Sequence, residues 1–241
     1  MPSSEPSAGQ AKPRDLVIAV DGPSGSGKSS TSRGVAKALG LRYLDTGAMY
    51  RAVTWWMLRA GVDVDDAQAV AAHAGQPVLR SGTDPGAPAI SVDGVDVSGP
   101  IRTAEVTTAV SAVSAVPEVR AVLLQQQRVI IQQACTGAGG IVVEGRDIGA
   151  VVAPDAEVKV YLTAEQGARA QRRSAELAAG SVPGSSMLTS TAADLARRDQ
   201  IDSGRAASPL RQADGAVVLD TTHLTLDDAI AAVVDMAKEH R

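Results

Sequence analysis

Leu16-Val-Ile-Ala-Val20 runs through Asp21 into Gly22-Pro-Ser-Gly-Ser-Gly-Lys-Ser29, and the helix-compatible stretch Ser30–Leu39 follows. The apolar run predicts a strand, and Gly22 to Ser29 match the pattern G-x-x-x-x-G-K-[ST] in full. Backbone N–H groups of a glycine-rich turn between strand and helix can wrap phosphate oxygens, and the helix N-terminus adds partial positive charge. Gly22, Pro23, Ser24, Gly25, Ser26, Gly27, Lys28, Ser29 and Ser30 are therefore the candidate triphosphate-binding residues. Lys28 is placed to reach the β- and γ-phosphates, and the Ser29 hydroxyl to ligand Mg²⁺. A chance glycine-rich turn is the alternative; the flanking strand and helix argue against it. A nucleoside triphosphate site is the reading.

Around this motif the composition is that of a soluble globular protein: 241 residues, 44% hydrophobic and 21% charged, long enough for one substantial core with inserted subdomains. The chain contains no Phe, and aromatics make up 2%, so the core must be built from Val, Leu, Ile and Ala and no stacking platform for single-stranded nucleic acid is available. A net charge of −4 argues against any polyanionic polymer as partner. Cys135 is the only cysteine, which excludes an internal disulfide and points to a reducing compartment; the thiol reads as filler rather than nucleophile. No apolar run is long enough to cross a bilayer and no signal-peptide pattern is present, so a cytoplasmic location without membrane attachment is expected. Residues 1–13 read as a disordered leader.

Short β-branched runs recur between helical stretches at Leu16–Val20, Leu41–Leu44, Ile141–Val143, Val158–Leu162 and Ala216–Leu219. Alternation of this kind predicts βαβ units and a parallel sheet covered on both faces. Helices are expected over Thr103–Ala115, Val119–Ala134, Ala164–Ala179 and Asp227–Glu239, the last capped by Thr225. From Gln76 to Gly99 the chain turns rich in Gly, Pro, Asp and Ser, and Asp93-Gly94 is a strong hairpin signal, so a small antiparallel β insertion is expected there. A second break, Gly180–Ser186, reads as a lid or hinge.

Three further constellations bear on the acceptor. Asp45-Thr-Gly-Ala-Met-Tyr-Arg51 follows the second strand as a loop at the carboxyl end of the sheet, where ligands bind. Arg51 offers a planar fork for a phosphate and Thr46 a hydroxyl for a base or ribose, although Thr46 as a plain helix cap with a solvated Arg51 is the competing reading. Ile141-Val-Val-Glu-Gly-Arg-Asp147 ends a buried strand with Glu144 placed to meet Mg²⁺ through water, Gly145 to let backbone approach a ligand, and Arg146 and Asp147 directed to different groups. A salt-bridged strand end competes equally. In Arg198-Asp-Gln-Ile-Asp202-Ser-Gly-Arg205, spacings of four and three place Arg198, Asp202 and Arg205 on one helical face, suited to a ribose diol beside a phosphate. Asp194 extends the stripe, so a surface ion-pair ladder is the rival. Arg169, Arg172 and Arg173 form another one-sided cluster, on a helix begun by a capping box Thr163-x-x-Gln166 and leading into the proposed lid.

Taken together these residues resemble the bacterial-type cytidylate kinases, within the nucleoside monophosphate kinase group of P-loop proteins, from about Leu16 to Ala237. The matching stretches are Asp21–Ser29, Leu44–Arg51, Val97-Ser-Gly-Pro-Ile-Arg102, Gly145-Arg-Asp-Ile-Gly149, and Arg197-Arg-Asp-x-x-Asp-Ser-x-Arg205 with Ser208-Pro-Leu210. The resemblance implies an α/β P-loop three-layer fold with a parallel five-stranded sheet, an inserted β-containing acceptor domain and a helical lid. On that plan residues 14–62, 100–165 and 200–241 form the core, 63–99 the acceptor insert and 166–199 the lid. It further implies that Thr46, Arg120 and Asp147 read cytosine, that Ser111, Arg198 and Asp202 hold the ribose hydroxyls, and that Arg51, Arg146 and Arg205 hold the monophosphate with Tyr50 beside it. Glu144 stands where Asp is commoner in the family, Thr46 where Ser is common, and Ala150 where Thr is usual.

The implied reaction is phosphoryl transfer from ATP, with Mg²⁺, to CMP and also dCMP, by a monomer. Lys28, Arg146, Arg169, Arg172 and Arg173 are the expected catalytic cations, and no general base is required because the attacking phosphate oxygen already carries its electrons. A nucleotide-dependent switch is the rival from another class, but no guanine-reading Asn-Lys-x-Asp element is present. Nearer rivals are kinases for AMP, UMP or shikimate.

Overall fold

The computed structural model describes residues 15–178, 184–205 and 209–240; the leader, most of the Gly180–Ser186 break and Ser208 lie outside these. Five strands, β1 (Leu16–Asp21), β2 (Arg42–Asp45), β6 (Gly140–Gly145), β7 (Val158–Thr163) and β8 (Val217–Asp220), form one parallel sheet in the order β2-β6-β1-β7-β8. Each coincides within a few residues with an expected strand. Strand β1 is central, so the glycine loop leaves the sheet's carboxyl edge where the chain turns one way toward β2 and later the other way toward β7, the usual position of a ligand crevice.

Alternation along the strands builds two cores. Ile18 and Val20 of β1 and Val142 of β6 face α1 (Lys28–Leu39) and α8 (Leu226–Lys238), meeting Val35, Ala36, Val233 and Ala237. Ala19, Ile141 and Val143 face the other way, onto Met49, Val53 and Met57 of α2 (Thr46–Arg59) and Val119 and Leu123 of α5 (Pro117–Ala138). The result is a three-layer α/β sandwich. Helix α8 begins with Thr225 as expected, in a reciprocal capping box with Asp228.

After α3 (Ala67–His73) a small antiparallel sheet of β3 (Leu79–Ser81), β4 (Ile90–Val92) and β5 (Val95–Asp96) interrupts the alternation. Its hairpin turns at Asp93-Gly94, both with positive φ (51° and 81°), as the sequence signal requires. The Asp93 carboxylate accepts from the Val78 N–H and from the Trp56 indole, pinning the hairpin to α2. Ile90, Val92 and Val97 join the core beneath α2, so this sheet has no separate core of its own. Helix α4 (Ala104–Val113) then leads into α5, and α6 (Gln166–Leu177) packs against α7 (Ser185–Gly204).

Two local expectations are corrected. Thr163 is not a helix cap: it closes β7 opposite Asp220, and α6 starts after Glu165 without a side-chain cap, because the sheet ladder claims Thr163 first. Asp45–Arg51 is not a loop either. Asp45 caps α2 by accepting from the Ala48 N–H at 2.9 Å, so Thr46 is already helical and its hydroxyl is released from capping.

Candidate active site

The glycine loop is built by conformations only glycine tolerates. Gly22 has φ +147°, and a Cβ there would lie 2.0 Å from the Leu162 carbonyl oxygen of β7. The Lys28 ammonium donates to the Pro23 carbonyl at 2.6 Å, folding back over the loop it serves. Burial, and then the neighbouring Arg146 guanidinium, push its pKa down. An incoming polyphosphate would offset both effects.

Ser29 donates to Glu144 Oε2 at 3.1 Å, and the Tyr43 hydroxyl donates to the other oxygen of the same carboxylate. Burial, followed by the Asp45 carboxylate, pushes Glu144 up. Hard oxygens from Ser29 and Glu144 thus stand side by side at the phosphate loop, and their chemistry fits Mg²⁺, with Ser29 as the candidate ligand and Glu144 as the candidate partner through water. No cluster of three or more His, Cys, Asp or Glu suited to a metal occurs among the described residues, so an all-protein cage is not formed.

From this loop a cavity of about 360 Å³ extends beneath α2, α4 and α7. Lys28 and Ser29 line one end; Thr46, Tyr50, Arg51, Ser111, Arg120, Arg146, Asp147, Arg198, Asp202 and Arg205 line the rest. Residues from β6, α2, α4, α5 and α7 are therefore brought to one chamber. Gly22, Pro23 and Ser26 support the loop from behind without lining the space, and Ala150 does not line it. Arg173 lines it together with Glu176, to which it is paired at 2.9 Å. Arg169 and Arg172 do not: Arg169 donates to the Ser24 carbonyl at 3.1 Å and pairs with Asp199, while Arg172 donates to Thr221. The one-sided arginine cluster thus diverges into three separately held groups around the glycine loop.

At the centre Asp202, almost fully buried, accepts from Arg146 Nε at 3.0 Å and from Arg205 through its other oxygen. Arg205 lies just past the end of α7 and also donates to the Ser114 hydroxyl at 2.9 Å. Asp194, by contrast, pairs with Arg197 on the exposed side, so the ladder reading holds for that pair alone. Arg198 Nε and Arg205 Nε are buried with no hydrogen-bond partner among the described residues. Burial, then the facing Arg198 and Arg173, lower the Arg51 pKa; burial, then Arg146, lower that of Arg198. Such crowding of forks around a single carboxylate is a site short of negative charge, the complement of a phosphate.

Deeper in, Asp147 pairs with Arg120, which also donates to the Ser114 carbonyl at 3.2 Å and lies 5.4 Å over the Tyr50 ring. Thr46 donates to the Glu144 carbonyl at 2.7 Å. Arg146 and Asp147 do serve different groups. Gly145 lines the chamber and is also required for packing: a Cβ would fall 2.6 Å from Ile148 Cδ1 and 2.7 Å from Thr46 Oγ1. Tyr43 and Ser114 stand outside the matched motifs, and Asp21 and Asp199 stand within them without an assigned role; their roles come from partners distant in the chain, for which local pattern carries no signal.

Comparison with known proteins agrees with this geometry. Residues 18–239 match the family model described as cytidylate kinase. A cytidylate kinase of Streptomyces griseus subsp. griseus is 58% identical over 94% of this chain and 94% of its own length. One from Mycobacterium leprae is 48% identical over 93% and 96%. Among solved structures, a gluconokinase from Sinorhizobium meliloti 1021 aligns over 95% of this chain and 94% of its own at 15% identity and a TM-score of 0.44. Glycine loop, arginine-lined chamber and full-length similarity converge, and the chain belongs to the cytidylate kinase family.

Proposed function

We propose that the protein is a nucleoside monophosphate kinase that transfers the γ-phosphoryl group of ATP to CMP, and to dCMP, giving ADP and CDP or dCDP in pyrimidine nucleotide metabolism. The observation that carries this reading is the set of part-buried guanidinium groups around Asp202 in the same chamber as the phosphate loop, two of them with a buried Nε that has no partner among the described residues. In this reading Arg51, Arg146 and Arg205 hold the acceptor phosphate. Ser111, Arg198 and Asp202 hold the ribose, and Thr46, Arg120 and Asp147 read the base with Tyr50 beside them. Residues 63–99 act as acceptor insert and 166–199 as lid, and the enzyme works as a cytoplasmic monomer.

A phosphate oxygen of the acceptor attacks the γ-phosphorus as the bond to the β-γ bridging oxygen breaks, and ADP leaves with that electron pair. Ser29, with Glu144 through water, would hold Mg²⁺, which would supply charge neutralisation when bound. Lys28 and Arg146 stabilise charge on the migrating group, with Arg169, Arg172 and Arg173 moving onto it from α6. Shielding the chamber from water prevents hydrolysis of the donor.

A coupled ADP-release assay across CMP, dCMP, UMP, AMP and shikimate tests this. CMP and dCMP are expected to be the preferred acceptors. Preference for AMP or shikimate, or ADP release independent of any acceptor, would overturn the reading.

A further inference from the structure

Asp21 ends β1 one residue before the glycine loop and is almost fully buried; it does not itself line the chamber and forms no ion pair among the described residues. Its two oxygens each take one backbone amide: Oδ1 accepts from the Ile148 N–H and Oδ2 from the Gly149 N–H, both at 2.8 Å. These amides open the π-helical turn Ile148–Val152, whose wide bonds run from Val152 N–H to the Asp147 carbonyl at 3.3 Å and from Ala153 N–H to the Ile148 carbonyl at 2.8 Å. The far end of the turn is held as well, by Arg128 donating to the Val151 carbonyl at 2.7 Å and the Val152 carbonyl at 3.2 Å. Single π-turns are uncommon and persist where surrounding contacts enforce them.

What this turn positions is the pair immediately before it. Arg146 reaches Asp202 and Ser24; Asp147 reaches Arg120. We infer that Asp21 is a positioning residue: by clamping the Ile148 and Gly149 amides to the root of the glycine loop, it fixes Arg146 and Asp147 in register with the donor phosphates. The inference rests on the acceptor roles proposed above for Arg146 and Asp147. One carboxylate then ties donor and acceptor geometry together, and sub-ångström slack in such a tie is felt directly in phosphoryl transfer. A neutral side chain does not replace it. Asn offers one oxygen, and its NH₂ opposes the second amide, so the turn must shift.

Asp21→Asn is the test, with Asp21→Ala alongside. For Asp21→Asn the KM for CMP is expected to rise about tenfold, the loss of one charge-assisted hydrogen bond, with the KM for ATP within about twofold and discrimination between CMP and AMP narrowed. A merely structural role would move both KM values together or neither, in a folded variant judged by its melting transition, and either result would overturn the inference. If wild-type protein does not use CMP, the functional proposal fails; if it does and the variant shows no split, only the role of Asp21 fails. Should neither variant fold, amide hydrogen exchange on the wild type decides: the Ile148 and Gly149 amides are expected to be protected and to slow further when CMP is added. Rapid exchange of both, unaffected by CMP, would sink it.

Discussion

Arg146 donates to the Ser24 hydroxyl at 2.6 Å, so a guanidinium that lines the chamber is fastened to the glycine loop itself. Its Nε simultaneously reaches Asp202 at 3.0 Å, so the side chain joins the glycine loop to the carboxylate of α7. Lysine cannot make this fork. Arg146→Lys should lower kcat/KM for CMP about tenfold to hundredfold, with most of the loss in kcat; steady-state kinetics at saturating ATP would measure it.

Lys28 and Asp202 should separate cleanly. Lys28→Ala removes the buried ammonium of the donor loop and should abolish turnover with every acceptor. Asp202→Ala leaves Arg146 and Arg205 buried without their shared carboxylate, so CMP use should fall at least tenfold while ATP affinity stays near normal. Titrating each substrate against each variant distinguishes the two outcomes. Near-normal turnover in the lysine variant would contradict its assignment.

Glu144 shares a hydrogen bond with Ser29 and is held from the other side by Tyr43. Glu144→Gln preserves shape but removes the charge that favours a divalent cation. The Mg²⁺ concentration for half-maximal activity should rise about tenfold, and equilibrium binding of CMP without metal should not change. An unaltered Mg²⁺ titration would remove Glu144 from the metal's surroundings.

The Asp21 pKa is pushed up to about 6, by burial first and then by Asp147, against the opposing pull of the two amides and Lys28. Its ordinary value is 3.8, so between these limits the folded protein binds the proton that the unfolded chain has released. Stability contributed here is therefore present at low pH and lost as pH rises through about 6. Relative to Asp21→Asn, the wild type should gain about 1 kcal/mol on going from pH ~7 to ~5, read from denaturant unfolding at each pH. A difference independent of pH would show that the carboxyl is ionised throughout.

Gly145 has Ile148 and Thr46 within 2.7 Å of any added Cβ. Gly145→Ala should cost about 1–3 kcal/mol and displace the Thr46 hydroxyl from the Glu144 carbonyl. A thermal melt and the KM for CMP should shift together, because one clash disturbs both packing and site.

Local physics made much of this legible beforehand. Strands declare themselves by β-branched runs, the glycine loop by a pattern no other geometry needs, and the hairpin by Asp93-Gly94, whose positive φ values few residues tolerate. Motif matching also brought together the residues from Thr46 to Arg205 that line the chamber. What it missed depends on partners far along the chain. Thr163 looked like a cap until β8 arrived beside it, and Asp21 acquires its role only when residues 148 and 149 fold back onto β1. Arg169, Arg172 and Arg173 share a helix face, but Asp199, Thr221 and Glu176 draw them apart.

The chain has only two tryptophans, Trp55 and Trp56, both on α2, and Trp56 donates its indole N–H to Asp93 at 2.8 Å. Nature has therefore installed an optical gauge at the contact between α2 and the small sheet. Ultraviolet emission from the unlabelled protein should report how that hairpin sits, with no dye attached, each time a nucleotide enters the chamber below.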